Sequence, residues 1–410
     1  MNNYTKNLAK FNFNMEEVKV FDVFAGIGSL HQSLTELGVP IKITNLSEVD
    51  VDAIISYAGI HIENFKDLEF NYPSKDEMKQ WLMDRNIGYD FAKQKSSIPR
   101  MKVDKLENVY KASIILNNLG DISQINYEEI EDFDLMNCSF CCQDLSGAGK
   151  QKGLKNEDGT PTRSGLVVYG LKAIRIKKPK YIMIENVKGL IQKKFIDDFY
   201  DITKEIESIG YNCYYPKKDN GQPTCLNAKN YGIPQNRERI FVICIRKDVD
   251  SGLFSFPQGF DNGLRLKDLL EDEVDEKYYL SDIHIDKIQK WEAYQRPFER
   301  VYGQESINPT LTARGAGEYH SGMILVSKEF KNTTNCEKEN INLHNFRIRK
   351  LTPKECWRLM GFRDEHIDRA IALGISNSQL YKQAGNSIVV DVLYYIFKEL
   401  FKEYIISDTN

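Results

Sequence analysis

A chain of 410 residues, 41% hydrophobic and 11% aromatic, has the length for a large core and two domains of unequal size and the composition of a folded globular protein. A net charge of −4 excludes a surface coated in positive charge, though not a locally basic cleft. Eight cysteines in so long a chain exclude a disulfide scaffold, and no apolar run reaches membrane-spanning length. Residues 1–15 are polar and mixed, so no targeting segment is expected and the expected location is cytoplasmic.

From residue 18 to residue 245, short apolar runs alternate with longer amphipathic segments, the pattern of strands linked by helices in a parallel sheet. The expected strands are 18–24, 41–46, 134–140, 181–184 and 240–245, most of them running into loops with glycine or polar residues. Ligands bind at the carboxyl ends of such strands, so function is sought in those loops. Residues 64–118 are charged, with helices expected over 77–83 and 105–117, and look like an insertion packed on the sheet. Residues 248–345 are irregular and turn-rich, as in Phe256-Pro-Gln-Gly259 and Ala313-Arg-Gly-Ala-Gly317, and read as a smaller second domain. Helical patterning returns over 349–362 and 380–404, so residues 346–410 are expected to rejoin the first domain, residues 1–247.

After the first strand, Phe24-Ala25-Gly26-Ile27-Gly28-Ser29 opens a helix, with Gly26 and Gly28 permitting close approach of a ligand and Phe24 able to cover an adenine ring. By itself such a glycine turn is more often only a tight connection between strand and helix. The next strand ends at Ser47-Glu48-Val49, where an acid suits the two hydroxyls of a ribose, and Gly120-Asp121-Ile122 supplies a third loop. His31 stands where a GxGxxG motif has its third glycine, and no P-loop lysine follows. The three loops therefore describe an adenosine pocket rather than a phosphate cradle.

Cys138-Ser139-Phe140-Cys141-Cys142-Gln143 places thiols at a strand end, ahead of a loop, 144–153, with three glycines, Ser146, Lys150 and Lys152 that suit a phosphate backbone. Cys138 and Cys141 form a CxxC, compatible with a redox pair or half a zinc site, but no second CxxC or HxxxH completes four ligands, and no metal is expected. A buried structural cysteine is the ordinary alternative to a nucleophile. Glu185, at the end of another strand, has a carboxyl able to bind and protonate a ring nitrogen, and Arg237 and Arg239 alternate on one face at the start of the next strand.

These residues resemble the DNA (cytosine-5)-methyltransferases, and their motifs arrive in that family's order over nearly all of the chain outside the insertion and the turn-rich domain. Residues 24–28 resemble the first S-adenosylmethionine motif, Glu48 stands at the ribose position, and Asp121 and Ile122 at the adenine-contacting one. The family's proline-cysteine-glutamine motif falls on Cys141-Cys142-Gln143, and Arg163 to Leu166, Glu185-Asn186-Val187, Gln235 to Arg239, 349–361 and 383–388 follow. The resemblance implies a Rossmann-like α/β sheet that uses S-adenosylmethionine, with a smaller, irregular target-recognition domain. Cofactor contacts then fall on residues 24–29, Glu48, Val49, Asp121, Ile122, Cys141, Leu166, Asn386 and Ile388.

It also implies that Cys142 attacks C6 of a cytosine flipped out of double-stranded DNA, while Glu185 holds N3 and the exocyclic amine, Arg239 meets O2, and Arg237 supports Arg239. DNA contacts fall on Gln143, Ser146, Lys150, Lys152, Thr310, Thr312 and Arg314. A monomer acting in a prokaryotic or phage-infected cell is expected, with a separately acting restriction endonuclease left open. Cys141 departs from the pattern, replacing the rigid proline before the nucleophile. That departure keeps open a DNA-binding protein of impaired activity, and a tRNA methyltransferase sharing these motifs is a further alternative.

Overall fold

The computed structural model describes residues 6, 8–91, 93–140, 164–290, 301–313, 322–326 and 347–406. They divide into two compact units, one formed by Leu8–Leu226, Glu238–Gln258 and Leu393–Asn410, the other by Met1–Asn7, Asn227–Arg237 and Gly259–Val392.

The first unit is built on a sheet of β1 (Val18–Val23), β2 (Ile41–Ser47), β3 (Leu135–Cys138), β4 (Tyr181–Val187), β5 (Tyr211–Tyr214) and β6 (Glu238–Arg246), in the order β2-β1-β3-β4-β6-β5. Strands β1 to β4 are parallel, whereas β6 runs antiparallel to both β4 and β5. The wholly parallel sheet expected from the alternating pattern is thus corrected at one edge, because a run such as Ile240 to Ile245 carries no sign of its direction. β4 also extends past Ile184 through Glu185 to Val187, every residue of it buried.

Interior strands covered on both faces are largely apolar, as in Val20, Phe21 and Val23 of β1, where Asp22 is a buried polar exception. Helix α1 (Ser29–Leu37) follows β1 and ends on Gly38, whose φ of 94° supplies the left-handed cap. Helix α2 (Val51–His61) is capped by the Asp50 side chain, which accepts from Asp52 N and Ala53 N. The insertion holds α3 (Lys75–Met83), started by a Ser74/Glu77 capping box, and α4 (Val103–Ile115), which packs on α2 and α3. Helices α5 (Val167–Lys177) and α6 (Ile196–Ile209) complete the crossovers, with Leu171, Ile174, Phe199 and Ile206 buried in the core cluster.

The end of the chain closes this unit. Tyr394, Phe397 and Phe401 are buried, the Phe401 ring lies 5.3 Å from that of Tyr181, and Asn14 N and Ile406 N bond to Tyr404 O and Asn12 O.

In the second unit, β7 (Val301–Tyr302), β8 (Met323–Val326) and β9 (Arg347–Lys350) form a small sheet whose core is Ile285, Met323, Leu325 and Ile348. Helix α7 (Pro353–Arg358) starts with proline at its first turn and a Thr352/Glu355 capping box. Glu355 is fully buried and pairs with Arg349 at 2.7 Å, so each charge satisfies the other.

Candidate active site

In the first unit, the loop after β1 is shaped by three residues of positive φ at alternate positions, Phe24 (φ 56°), Gly26 (56°) and Gly28 (82°). The two glycines serve different ends. A Cβ on Gly28 would meet His61 Nε2 at 2.2 Å, so this glycine lets α1 start against α2, whereas nothing lies within 4 Å of a Cβ at Gly26. The Gly26 side of the loop is open to a ligand. Phe24 and Val49 are half-buried, and Ala25, Ile27, Ser29 and Ile122 are buried.

Glu48 crosses to this loop. Its Oε2 accepts from Gly26 N at 2.9 Å, and its Oε1 accepts from Val49 N and Asp50 N at 2.8 Å. Burial raises the Glu48 pKa, as does the Asp50 charge, while these backbone donors oppose the rise. Asp121 lies at the end of the adjoining loop, where its Oδ1 accepts from Ser123 N at 3.0 Å and its Oδ2 from Asn86 Nδ2 at 2.9 Å. Two carboxylates with acceptor capacity beside an open glycine loop suit the hydroxyls of a ribose and the amine of adenine. Leu166 is half-buried at the start of α5.

Deeper in the sheet, Asn137 Nδ2 donates to Asp22 Oδ1 at 2.7 Å, and Ser139 Oγ donates to Asn137 Oδ1 at 2.7 Å. Sequence reading missed this chain, which links β1 to the end of β3. Burial pushes the Asp22 carboxyl up to about 7, aided by the Glu48 charge and opposed by the Asn137 hydrogen bond. An acid whose pKa rises on folding holds its proton while the unfolded chain has lost it. Asp22 therefore costs nothing below its unfolded value of 3.8 and progressively more as pH rises to about 7. Asp22→Asn is expected to stabilise the protein at about pH 8 and to change little at about pH 4, by chemical denaturation at each pH. Equal effects at both would dismiss the buried acid as the cause.

Glu185 and Arg239 come together. Arg239 Nε lies 3.0 Å from Glu185 Oε1, and both side chains are largely buried. The antiparallel register of β6 makes the meeting possible, with Arg239 opposite Val187 and Phe241 opposite Glu185. Next to Glu185, Asn186 donates its Nδ2 to Phe140 O at 3.1 Å, tying β4 to the chain just after β3. Burial pushes the thiol of Cys225, unremarked in the sequence, up to about 12, aided by the Glu238 and Glu185 charges and opposed by those of Lys188 and Arg239. Cys138 is buried, its thiol likewise pushed up to about 12, and a Cβ on Gly170 would meet its sulfur at 2.4 Å. It is a packed strand residue with no thiolate to offer.

In the second unit, Arg237 does not share a strand face with Arg239 as expected. The chain turns there, Arg237 N bonding Gln235 O at 3.0 Å. The guanidinium donates to Leu311 O at 2.9 Å, Gly385 O at 3.0 Å and Ser387 O at 2.8 Å, and the residue is 3% exposed. Removing it leaves three buried carbonyls without their donor, so Arg237→Ala is expected to cost about 3 kcal/mol or more in denaturant unfolding. A loss below about 1 kcal/mol would remove the structural reading. Thr310 Oγ1 donates to Asn236 O at 2.6 Å, and the Thr312 backbone abuts Gly385 so closely that a Cβ there would meet it at 2.2 Å. Asn386 is exposed and Ile388 half-buried at the end of α8 (Asn377–Asn386). Cys141, Cys142, Gln143, Ser146, Lys150, Lys152, Arg163 and Arg314 lie outside the described residues. Among the described residues no group of three potential metal ligands occurs, and no helix is long and apolar enough to cross a membrane.

The mixed sheet, with its glycine loop after β1 and acid after β2, is that of a Rossmann-like, S-adenosylmethionine-dependent methyltransferase. The crystal structure of the Schizosaccharomyces pombe Dnmt2 methyltransferase shares the fold with a TM-score of 0.61 at 19% identity, over 94% of this chain and 99% of that one. A family described as C-5 cytosine-specific DNA methylase matches residues 95–402. The Lactococcus lactis subsp. cremoris type II methyltransferase M2.ScrFI is 36% identical over 94% of this chain and 99% of its own. The orphan methyltransferase M.SPBetaI of Bacillus phage SPbeta is 28% identical over 97% and 100%. The chain belongs to the C-5 cytosine-specific DNA methylase family.

Proposed function

We propose that this protein is an active methyltransferase that modifies C5 of a cytosine rotated out of double-stranded DNA, through a covalent bond from Cys142 to C6. The observation that carries the reading is the Glu185–Arg239 pair, held at 3.0 Å where β4 and β6 lie side by side. A carboxyl and a guanidinium so joined match the donor and acceptor edge of cytosine, N3 and the amine on one side and O2 on the other. Asn186 supports the same arrangement by fixing the Phe140 carbonyl, two residues ahead of the expected nucleophile.

Cytosine C5 is a weak nucleophile. The Cys142 thiolate adds to C6, Glu185 gives hydrogen-bonded or protonic support at N3, and electron density passes to C5. S-adenosylmethionine supplies the methyl group; loss of the C5 proton to a base then restores the double bond and expels the thiolate. Glu48 takes the ribose hydroxyls, Asp121 the adenine amine, and Phe24, Val49 and Ile122 the ring. Rotating the base out costs roughly a few kcal/mol, which phosphate contacts from the loop at 143–153 offset. Residues 248–345 form the recognition domain, with Thr310, Thr312 and Arg314 contacting the DNA.

The test is transfer of labelled methyl to mixed-sequence duplex DNA and to tRNA in competition, followed by bisulfite sequencing of the DNA product. Label in duplex DNA at a defined sequence is expected. DNA binding without transfer would support impairment by Cys141, and label confined to tRNA would overturn the choice of substrate.

A further inference from the structure

We propose that Asn86, a residue of the insertion, is a positioning residue of the cofactor site, fixing the Asp121 carboxylate so that it reads the exocyclic amine of adenine. The inference rests on the reading of Asp121 as the adenine contact and assigns the insertion a part in choosing the cofactor.

The segment 84–88 is stitched to both loops that flank the adenosine pocket. Gly88 N donates to Val49 O at 2.8 Å, and Asp121 N donates to Arg85 O at 3.0 Å. Asn86 Nδ2 then reaches Asp121 Oδ2 at 2.9 Å. The approach is close enough to dictate sequence. A Cβ on Gly120, at φ 74°, would meet Arg85 O at 2.2 Å, so the residue before Asp121 must be glycine for the insertion to lie there. Asn86 has a φ of 53°, a left-handed conformation that asparagine tolerates better than most residues. Ile87 is fully buried beside it, and the Arg85 guanidinium stacks 3.9 Å over the Trp81 ring, anchoring the segment to α3.

Asp121 is therefore held from two sides, with Ser123 N on Oδ1 and Asn86 on Oδ2, and is 5% exposed. Each oxygen keeps acceptor capacity, but the carboxylate plane cannot turn. A fixed acceptor favours an amine, which donates, over a carbonyl oxygen, which would be repelled; a freely turning one discriminates less.

The test measures binding of S-adenosylhomocysteine and of S-inosylhomocysteine, in which a carbonyl replaces the amine, to the full chain by calorimetry. The wild-type protein is expected to prefer the adenosine ligand, and Asn86→Gly, which keeps the backbone conformation, to shrink that preference roughly three- to tenfold. Asn86→Asp, also tolerant of a left-handed φ, replaces the donor by an acceptor and should shrink it at least as far; it provides the ratio if the glycine variant does not fold. Equal weakening of both ligands, with the ratio unchanged, would overturn the inference and leave Asn86 a purely structural residue. Lack of preference in the wild-type protein would instead overturn the reading of Asp121 itself, and the inference with it.

Discussion

Cys142→Ser is expected to abolish methyl transfer while leaving S-adenosylmethionine binding intact. A serine hydroxyl is not ionised near neutral pH and lacks the polarisability of sulfur, so the addition to C6 that activates C5 fails. The neighbouring thiol makes the comparison decisive. Cys141→Pro restores the rigidity expected at that turn and is expected to preserve or raise the rate, because Cys141 has no chemical role in this scheme. Labelled transfer to duplex DNA, with cofactor binding followed by calorimetry, checks both. Transfer surviving in Cys142→Ser but lost in Cys141→Ser would reassign the nucleophile. Cys138 needs no such test, since its buried thiol, pushed up to about 12, stays protonated.

Glu185→Gln is expected to lower the single-turnover rate about 10²- to 10⁴-fold, the range over which a positioned acid or base contributes. Glutamine keeps the length of the side chain and one acceptor oxygen, but it has no proton to move to N3 and no charge to balance Arg239. Part of the effect should therefore appear as stability, since Arg239 Nε now sits 3.0 Å from a carboxylate in a largely buried setting. The two contributions separate by measuring the rate under conditions where the variant is fully folded. A loss of less than about tenfold there would mean that Glu185 orients the base without protonating it.

The strands and the cofactor loop were legible in the sequence for a physical reason. A strand buried on both faces is mostly apolar, so β1 announces itself in spite of Asp22, and a glycine in a left-handed turn with open space around it, such as Gly26, stands out between a strand and a helix. The direction of β6 was not legible, because Ile240 to Ile245 would look the same in either sense. The edge strand Tyr211–Tyr214 was missed because it is partly exposed and has no alternation to read. Arg237 and Arg239 are two positions apart in sequence and suggested one face of one strand, yet a tight turn sends the first to the carbonyls of Leu311, Gly385 and Ser387 and leaves the second beside Glu185. Asn86 was invisible for a similar reason. Its partner, Asp121, lies beyond α4, and nothing local to either residue signals the contact.

The aromatic residues that seal the first unit, Tyr394, Phe397 and Phe401, belong to its last chain segment, while the Tyr181 ring that meets Phe401 is laid down more than half a chain earlier. During synthesis the growing sheet therefore waits, with an apolar patch uncovered, until residues 394–401 have emerged from the ribosome. Contacts of such high sequence separation are slow to form, so completion of this unit is expected to be a late event and the interval before it the period of greatest exposure to aggregation. Shortening the chain within residues 393–406 would leave that interval without an end.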